Sequence, residues 1–268
     1  MGYTVKAPVT IRGTGIHSGK TAEIILNPKQ AGGIVFNLSK VNVKIPLTLR
    51  YIKPQNLGTN LFKNNQWLKT IEHFLAVLWY FRITDLQVEI KGDEVPIADG
   101  SGLPIYEEIQ KKGLKKTATT EKKLIIKKPV AVFYNDSYLI GYPGKGLNIN
   151  YTVCFPNNPI QTQNYIFTGK NNFVAEVLAA RTFGNIEDVE KLHQSGRALG
   201  ASMENALVYN SKGYITPQRF AGEAVRHKVL DLLGDLYSSG YFVQGKMLAY
   251  KTSHVLNNKF IKKLLKAS

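Results

Sequence analysis

Two stretches of this chain follow one plan, and that echo limits the fold more than any other feature. IEHFLAVLWYF (71–81), with Thr70 placed to cap it, reads as a helix nearly encircled by leucines and aromatics. The alternating strand DLQVEI (85–90) follows it. VRHKVLDLLGDL reads as a second helix, over about 223–239, and the strand GKMLAYK (245–251) follows it. Each half also opens with short β-branched pieces bounded by Gly, Pro or Asn. These are 3–12, 21–28, 32–38 and 41–49 in the first half, and 124–134, 137–143, 147–155 and 164–169 in the second. The expectation is an α+β protein of two similar domains, 1–119 and 120–268, with LKKTATTEKK (114–123) as linker between them.

The remaining segments have simpler expectations. Residues 50–66 read as an irregular connection, and LPIYEEIQKKG as a short helix closed by Gly113. FVAEVLAARTFG (173–184) reads as a helix running into a turn, and IEDVEKLHQSG (186–196) as another helix. The chain closes with an amphipathic helix over about 256–266, apolar along Phe260, Ile261, Leu264 and Leu265.

Composition excludes several classes. No apolar run approaches the ~20 residues of a membrane span. The first residues, MGYTVKAPVTIRGTG, lack a signal-peptide core and begin like a strand, so a cytoplasmic protein is expected. Cys154 is the single cysteine, which rules out an internal disulfide and a thiolate-rich metal site. Any metal must then be held by histidines and carboxylates. The formal charge is +16, with lysines clustered at 111–116, 121–128 and 258–266. Nucleic acid, an anionic membrane surface or a phosphorylated substrate would each suit that balance, as would a solvated lysine-rich surface. No nucleic-acid recognition motif is present.

Chemistry concentrates on few residues. His227, Asp231 and Asp235 recur at four-residue steps, so they share one helix face. A His and an Asp so placed can grip a metal, and are also common as a solvated pair. Glu72 and His73 head the first helix, either as a capping acid beside a core histidine or as a base beside a ligand. A hydrolytic zinc site has three protein ligands and an open position, and His73, His227 and Asp231 form the natural trio. Glu72 is then placed to take a proton from water. His254 could serve as an acid if Asp235 keeps it protonated. Thr182 offers a hydroxyl to an oxyanion, and Lys228 and Lys251 offer point charges to phosphates. His17 sits at the tip of a glycine-rich turn, GTGIHSGK, whose spacing fits no standard nucleotide fingerprint. His193 is assigned no role.

Taken together, six blocks resemble the UDP-3-O-acyl-N-acetylglucosamine deacetylases, zinc amidases of lipid A synthesis in Gram-negative bacteria. GTGIHSGK is similar to that family's G-x-G-[LI]-H-[ST]-G, TIEHFLAVL to T-[VI]-E-H-L-x-x-x-L, and EVPIADGSG to E-[IV]-P-I-x-D-G-S. ARTFG, VRHKVLDLLGDL and SHVLNNK follow in the family's order, so the resemblance runs from residue 13 to about 260.

The resemblance implies two α+β domains with the active site at their junction, and an insert around 186–210 bordering an acyl-chain passage. It implies zinc on His73, His227 and Asp231, with Glu72 as general base and Thr182 at the oxyanion. His254, oriented by Asp235, is the implied electrostatic or acid residue. Lys228 and Lys251 fall near nucleotide and phosphates, Phe183 near the passage, and His17 in a supporting role. The implied partner is a UDP-linked acylated amino sugar, on a monomer. The lysines of the last helix would let it graze the anionic inner membrane, although packing of that helix on the core is the expected arrangement. Ser253, Ala201 and Asn185 depart from the family's usual residues, which leaves the preferred chain length open.

Overall fold

The computed structural model describes residues 1–55, 57–169 and 173–267. Its α-helices are α1 (Glu72–Phe81), α2 (Leu103–Lys112), α3 (Val189–Gln194), α4 (Glu223–Tyr237) and α5 (His254–Lys266). The fold is α+β, and its two large sheets share one topology. The first runs Val9–Thr14, Thr21–Pro28, Leu86–Lys91, Ile34–Leu38, Val43–Pro46. Leu86–Lys91, the strand after α1, is antiparallel to Thr21–Pro28 and parallel to Ile34–Leu38. The second runs Val130–Tyr134, Ser137–Tyr142, Phe242–Tyr250, Leu147–Phe155, Gln161–Thr168. Phe242–Tyr250, the strand after α4, is again antiparallel to one hairpin and parallel to the other. In both sheets the late strand enters between two hairpins.

Strand alternation explains how each sheet seats its helices. Ile24, Leu26, Phe36, Val88 and Ile90 point inward and are buried, as are Leu139, Ile149, Tyr151, Phe167 and Met247 in the second sheet. Helix α1 is apolar nearly all round, and only its Tyr80 is not buried. Such a helix needs cover on every side. Phe74 meets Phe36 of the first sheet edge-on, and Trp79 meets Phe167 of the second. Helix α4 lies alongside α1, and only its Arg226 and Lys228 are not buried.

The helices approach closely because α4 carries a glycine at the crossing. A Cβ on Gly234 would sit 2.0 Å from the backbone oxygen of Glu72. Intrinsic propensity disfavours glycine inside a helix by ~1 kcal/mol, so its place here answers to packing. No helix among the described residues is long and apolar enough to cross a membrane.

Six local expectations need correction. Residues 50–66 are not irregular: Ile52–Gln55, Gly58–Lys63 and Gln66–Leu68 form a three-stranded antiparallel sheet. Its second hairpin turns on Asn64-Asn65, both left-handed at φ 51° and 59°, the chemistry of a two-residue turn. Thr70 does not cap α1; its hydroxyl donates to Glu94 instead. Residues 173–184 form one π-helical turn, Phe173–Leu178, and then extend. The helix expected over 186–196 divides into a 3₁₀ turn, Ile186–Asp188, and the short α3. In the expected linker, Leu114–Lys116 pairs with Tyr3–Val5. The last helix begins two residues earlier than expected, because the Ser253 hydroxyl accepts from the Leu256 amide at 3.3 Å and caps it.

Gly234→Ala should force backbone apart where α1 and α4 cross, and destabilise the fold by about 3 kcal/mol, the upper range for overpacking. Urea unfolding of the variant beside the parent measures it; an unchanged midpoint would mean the helices separate without strain.

Candidate metal centre and active site

The buried heads of α1 and the middle of α4 bring together residues far apart in sequence. His73 Nε2 and His227 Nε2 lie 3.4 and 3.3 Å from the same oxygen, Asp231 Oδ1. The two imidazoles stand perpendicular, with centroids 4.7 Å apart. His227 Nδ1 is 3.0 Å from the Ala180 carbonyl, which can only accept. That nitrogen is therefore the proton-bearing one, and Nε2 turns a lone pair toward Asp231. Asp231 Oδ1 is buried and has no hydrogen-bond partner.

An orphaned carboxylate oxygen facing two imidazole nitrogens is costly unless a cation lies between them. Ligand atoms ~2.0 Å from a tetrahedral centre lie roughly 3.3 Å apart, and both measured separations agree with that edge. The donor atoms of His73, His227 and Asp231 all fall within 4.8 Å of one another. The donor set therefore fits a metal ion.

A second cluster, Glu72, Asp231 and His254, also satisfies that spacing. It is the poorer ligand set, because His254 is held as a cation. Burial opposes the charge, but Asp235 and Glu72 outweigh it and raise the His254 pKa to about 9. A protonated imidazole has no lone pair to give. Asp235 lies behind it with every oxygen engaged. Oδ2 accepts from His254 Nδ1 at 2.9 Å and Asn257 Nδ2 at 2.8 Å, and Oδ1 accepts from the Thr59 hydroxyl at 2.5 Å.

His227 differs from His254 in both environment and proton. Burial pushes its pKa down to about 4, and Asp231 only partly offsets this. For Asp231 the balance reverses: burial is overcome, foremost by the Lys228 ammonium, with the facing imidazoles and charged His254 adding to it, and the carboxyl is held well below its usual range. Glu72 is raised by burial, with His254 and His73 pulling the other way. Its Oε2 accepts the Thr59 amide at 2.8 Å.

These groups line part of a cavity of ≈ 600 Å³. Glu72, His73, Thr182, His227, Lys228, Asp231 and His254 line it, with His17 and Phe183. The rest of its lining is largely apolar, with Ile186, Val189, Leu192, Met203 and Val208 contributed by one segment of the chain. Thr182 is set in place by its backbone: its amide donates to Gly100 O at 2.8 Å, and its carbonyl accepts from the Leu207 amide at 2.7 Å. Lys228 Nζ is 2.8 Å from Asp231 Oδ2 and 5.5 Å from the Phe183 ring centroid. His17 reaches Leu57 O at 3.0 Å through Nε2. Lys251 is not brought to the cavity wall; its ammonium is paired with Asp136. His193 lies 3.1 Å from Ala198 O.

Sequence reasoning missed four residues that hold this geometry. Thr59 touches both Glu72 and Asp235, and lies in the segment taken for an irregular connection. Asn257 supports Asp235 from α5. Glu94 accepts the His17 and Ser18 amides at 3.0 and 2.8 Å and the Thr70 hydroxyl at 2.9 Å, fixing the glycine-rich turn. Glu223 takes Arg181 Nε at 2.8 Å and the Arg219 amide at 2.8 Å, anchoring the start of α4 to the segment carrying Thr182. The Glu of EVPIADGSG was a visible signal; for Thr59 there was none beyond its nearness to Gly58.

The profile of the LpxC family, UDP-3-O-acyl N-acetylglycosamine deacetylase, matches residues 2–266. This chain belongs to that family. Relatives named UDP-3-O-acyl-N-acetylglucosamine deacetylase align over nearly the whole chain. The one from Synechocystis sp. is 37% identical over 271 residues, covering 98% of each protein. That from Myxococcus xanthus is 38% identical, covering 98% of this chain and 85% of its own length. That from Thermodesulfovibrio yellowstonii is 35% identical, covering 98% and 91%. The resemblance carried by the six sequence blocks is thus correct.

The His254–Asp235 pair makes a pH-dependent contribution to stability with a definite sign. Its raised pKa favours the fold fully below the ordinary value of 6.5, and that contribution is lost as pH rises through about 9. Thermal unfolding of the parent should therefore weaken across that window. In Asp235→Asn the loss should largely vanish, and equal slopes in the two proteins would remove Asp235 as the cause.

Proposed function

We propose that this chain hydrolyses the N-acetyl group of UDP-3-O-acyl-N-acetylglucosamine. The products are acetate and UDP-3-O-acyl-glucosamine, at an early committed step of lipid A biosynthesis. The observation that carries the proposal is the cavity itself. A metal-fitting trio, a buried carboxylate and a charged histidine meet on its wall, and the rest of its lining is apolar enough for an acyl chain.

In this proposal zinc is held by His73, His227 and Asp231, and when bound it supplies Lewis acidity to water and to the amide carbonyl. Glu72 takes the water proton. Its burial raises its basicity toward working pH, and the Thr59 amide holds one oxygen so that the other faces the cavity. Thr182 donates its hydroxyl to the oxygen that gains charge. His254, kept protonated by Asp235, balances that charge and gives a proton to the departing sugar nitrogen; Glu72 can also return the proton it took. Lys228 lies at the wall where it can meet the sugar or its phosphates. Lys251 would have to exchange Asp136 for a phosphate to do the same.

The remaining proposals concern organisation. The divisions 1–119 and 120–268 act as two domains with the site at their junction. The insert around 186–210 lines the acyl passage, with Phe183 at its threshold, and the apolar wall described above supports this. The enzyme works in the cytoplasm as a monomer and binds no nucleic acid.

Two measurements test the chemistry. Metal analysis should find about one zinc per chain, and a chelator should abolish release of free amine from the UDP-acyl-sugar until zinc is restored. Glu72→Gln should keep its metal while kcat falls by about 10²–10⁴. Normal turnover in that variant would remove Glu72 as the base.

A further inference from the structure

The two large sheets share a topology but not an outer face. On the first, the outward residues are polar and paired: Arg12 and Lys91 both ion-pair with Glu23 across adjacent strands. The next row places Thr10, Ile25, Glu89, Asn37 and Lys44 side by side. That is the ordinary solvated side of an antiparallel sheet.

The corresponding rows of the second sheet are apolar over the three strands Val130–Tyr134, Ser137–Tyr142 and Phe242–Tyr250, and continue into Thr152, Asn164 and Asn150 on the other two. Phe133, Tyr138 and Tyr250 lie side by side, and the two tyrosine rings stack at 5.3 Å. Ile140 and Leu248 follow, then Asn150, with Ile166 on the far edge strand. Phe133 is 66% exposed and Ile166 59%. No described helix covers this face. Helix α5 is on the other side, where Phe260 packs against Gly141 so tightly that an added Cβ would lie 2.7 Å from its ring. The apolar stripe of α5 is therefore spent on the core, and the last helix is not free to graze a membrane.

Charge selects what this face meets. Asp136 is the only acidic residue in segments 122–169 and 240–268, which are rich in lysine. Exposed Lys246 stands beside Tyr142 in the sheet. Lys251 lies 5.9 Å from the Tyr250 ring. Aromatic rings bordered by lysines are suited to the boundary between headgroups and acyl chains, where rings sit at the interface and ammoniums reach anionic lipid. A second copy of this chain would set lysine against lysine.

We propose that the outer face of the second sheet is a docking surface for an anionic lipid bilayer. It lies on no residue of the catalytic cavity, so it stands whether or not the proposed reaction is correct. The test is co-sedimentation of the full chain with vesicles of phosphatidylcholine alone, or with about 30% phosphatidylglycerol. Binding should be at least about tenfold stronger to the anionic vesicles and fall with added salt. The double variant Phe133→Glu/Ile166→Glu should lose it while keeping the parent's unfolding midpoint and its turnover of dispersed substrate. Ile25→Glu, on the first sheet, should bind as the parent does. Failure of the parent to bind, or equal binding by the double variant, overturns the proposal. So does a parent dimer in sedimentation velocity that the double variant dissolves, which would assign the face to a second copy.

Discussion

The close crossing of α1 and α4 is the constraint on which the site depends. Gly234 lets the α4 backbone reach the carbonyl of Glu72, and one and two turns back Asp231 and His227 then face His73. The same contact joins the two halves of the apolar core. A larger residue at 234 would open both at once, so the metal-fitting geometry and the packing are not separable properties. Aligning base and ligands in this way stores a buried carboxylate oxygen without a partner, which is favourable only where a cation can lie.

Within a few ångströms the chain also sets two histidines to opposite protonation states. His227 is stripped of its proton by burial, with its remaining N–H given to a backbone carbonyl. His254 is equally buried but faces Asp235 squarely, and keeps its proton. One carboxylate is left bare toward the imidazoles and the other is fully hydrogen-bonded, and that difference decides which histidine can ligate and which can donate. Environments that push paired groups apart are a general mark of acid–base sites.

Much of this was legible in the residues. The echoed helix and strand gave two similar halves, and the four-residue steps of His227, Asp231 and Asp235 gave a single helix face. Choosing metal over a solvated pair was not possible from spacing, because the deciding partner, His73, is distant in sequence; the family resemblance supplied it. The sheet over 52–68 escaped because its strands are short and broken by Pro54 and Gly58, so no alternation accumulates. The Asn64-Asn65 turn was its one clear sign. Lys251 was drawn toward phosphate by its place beside His254, but the chain turns at Lys251, left-handed at φ 51°, three residues before His254 opens α5, and Asp136 holds its ammonium elsewhere.

That small sheet has a mechanical consequence. Thr59 grips Glu72 through its amide and Asp235 through its hydroxyl, so one residue spans the supports of both proton-handling groups. Any drift of the strand carries the carboxylate of α1 and the partner of His254 in the same direction. Their separation is thereby buffered against motion, much as a tie bar keeps two rails at gauge while the track itself shifts.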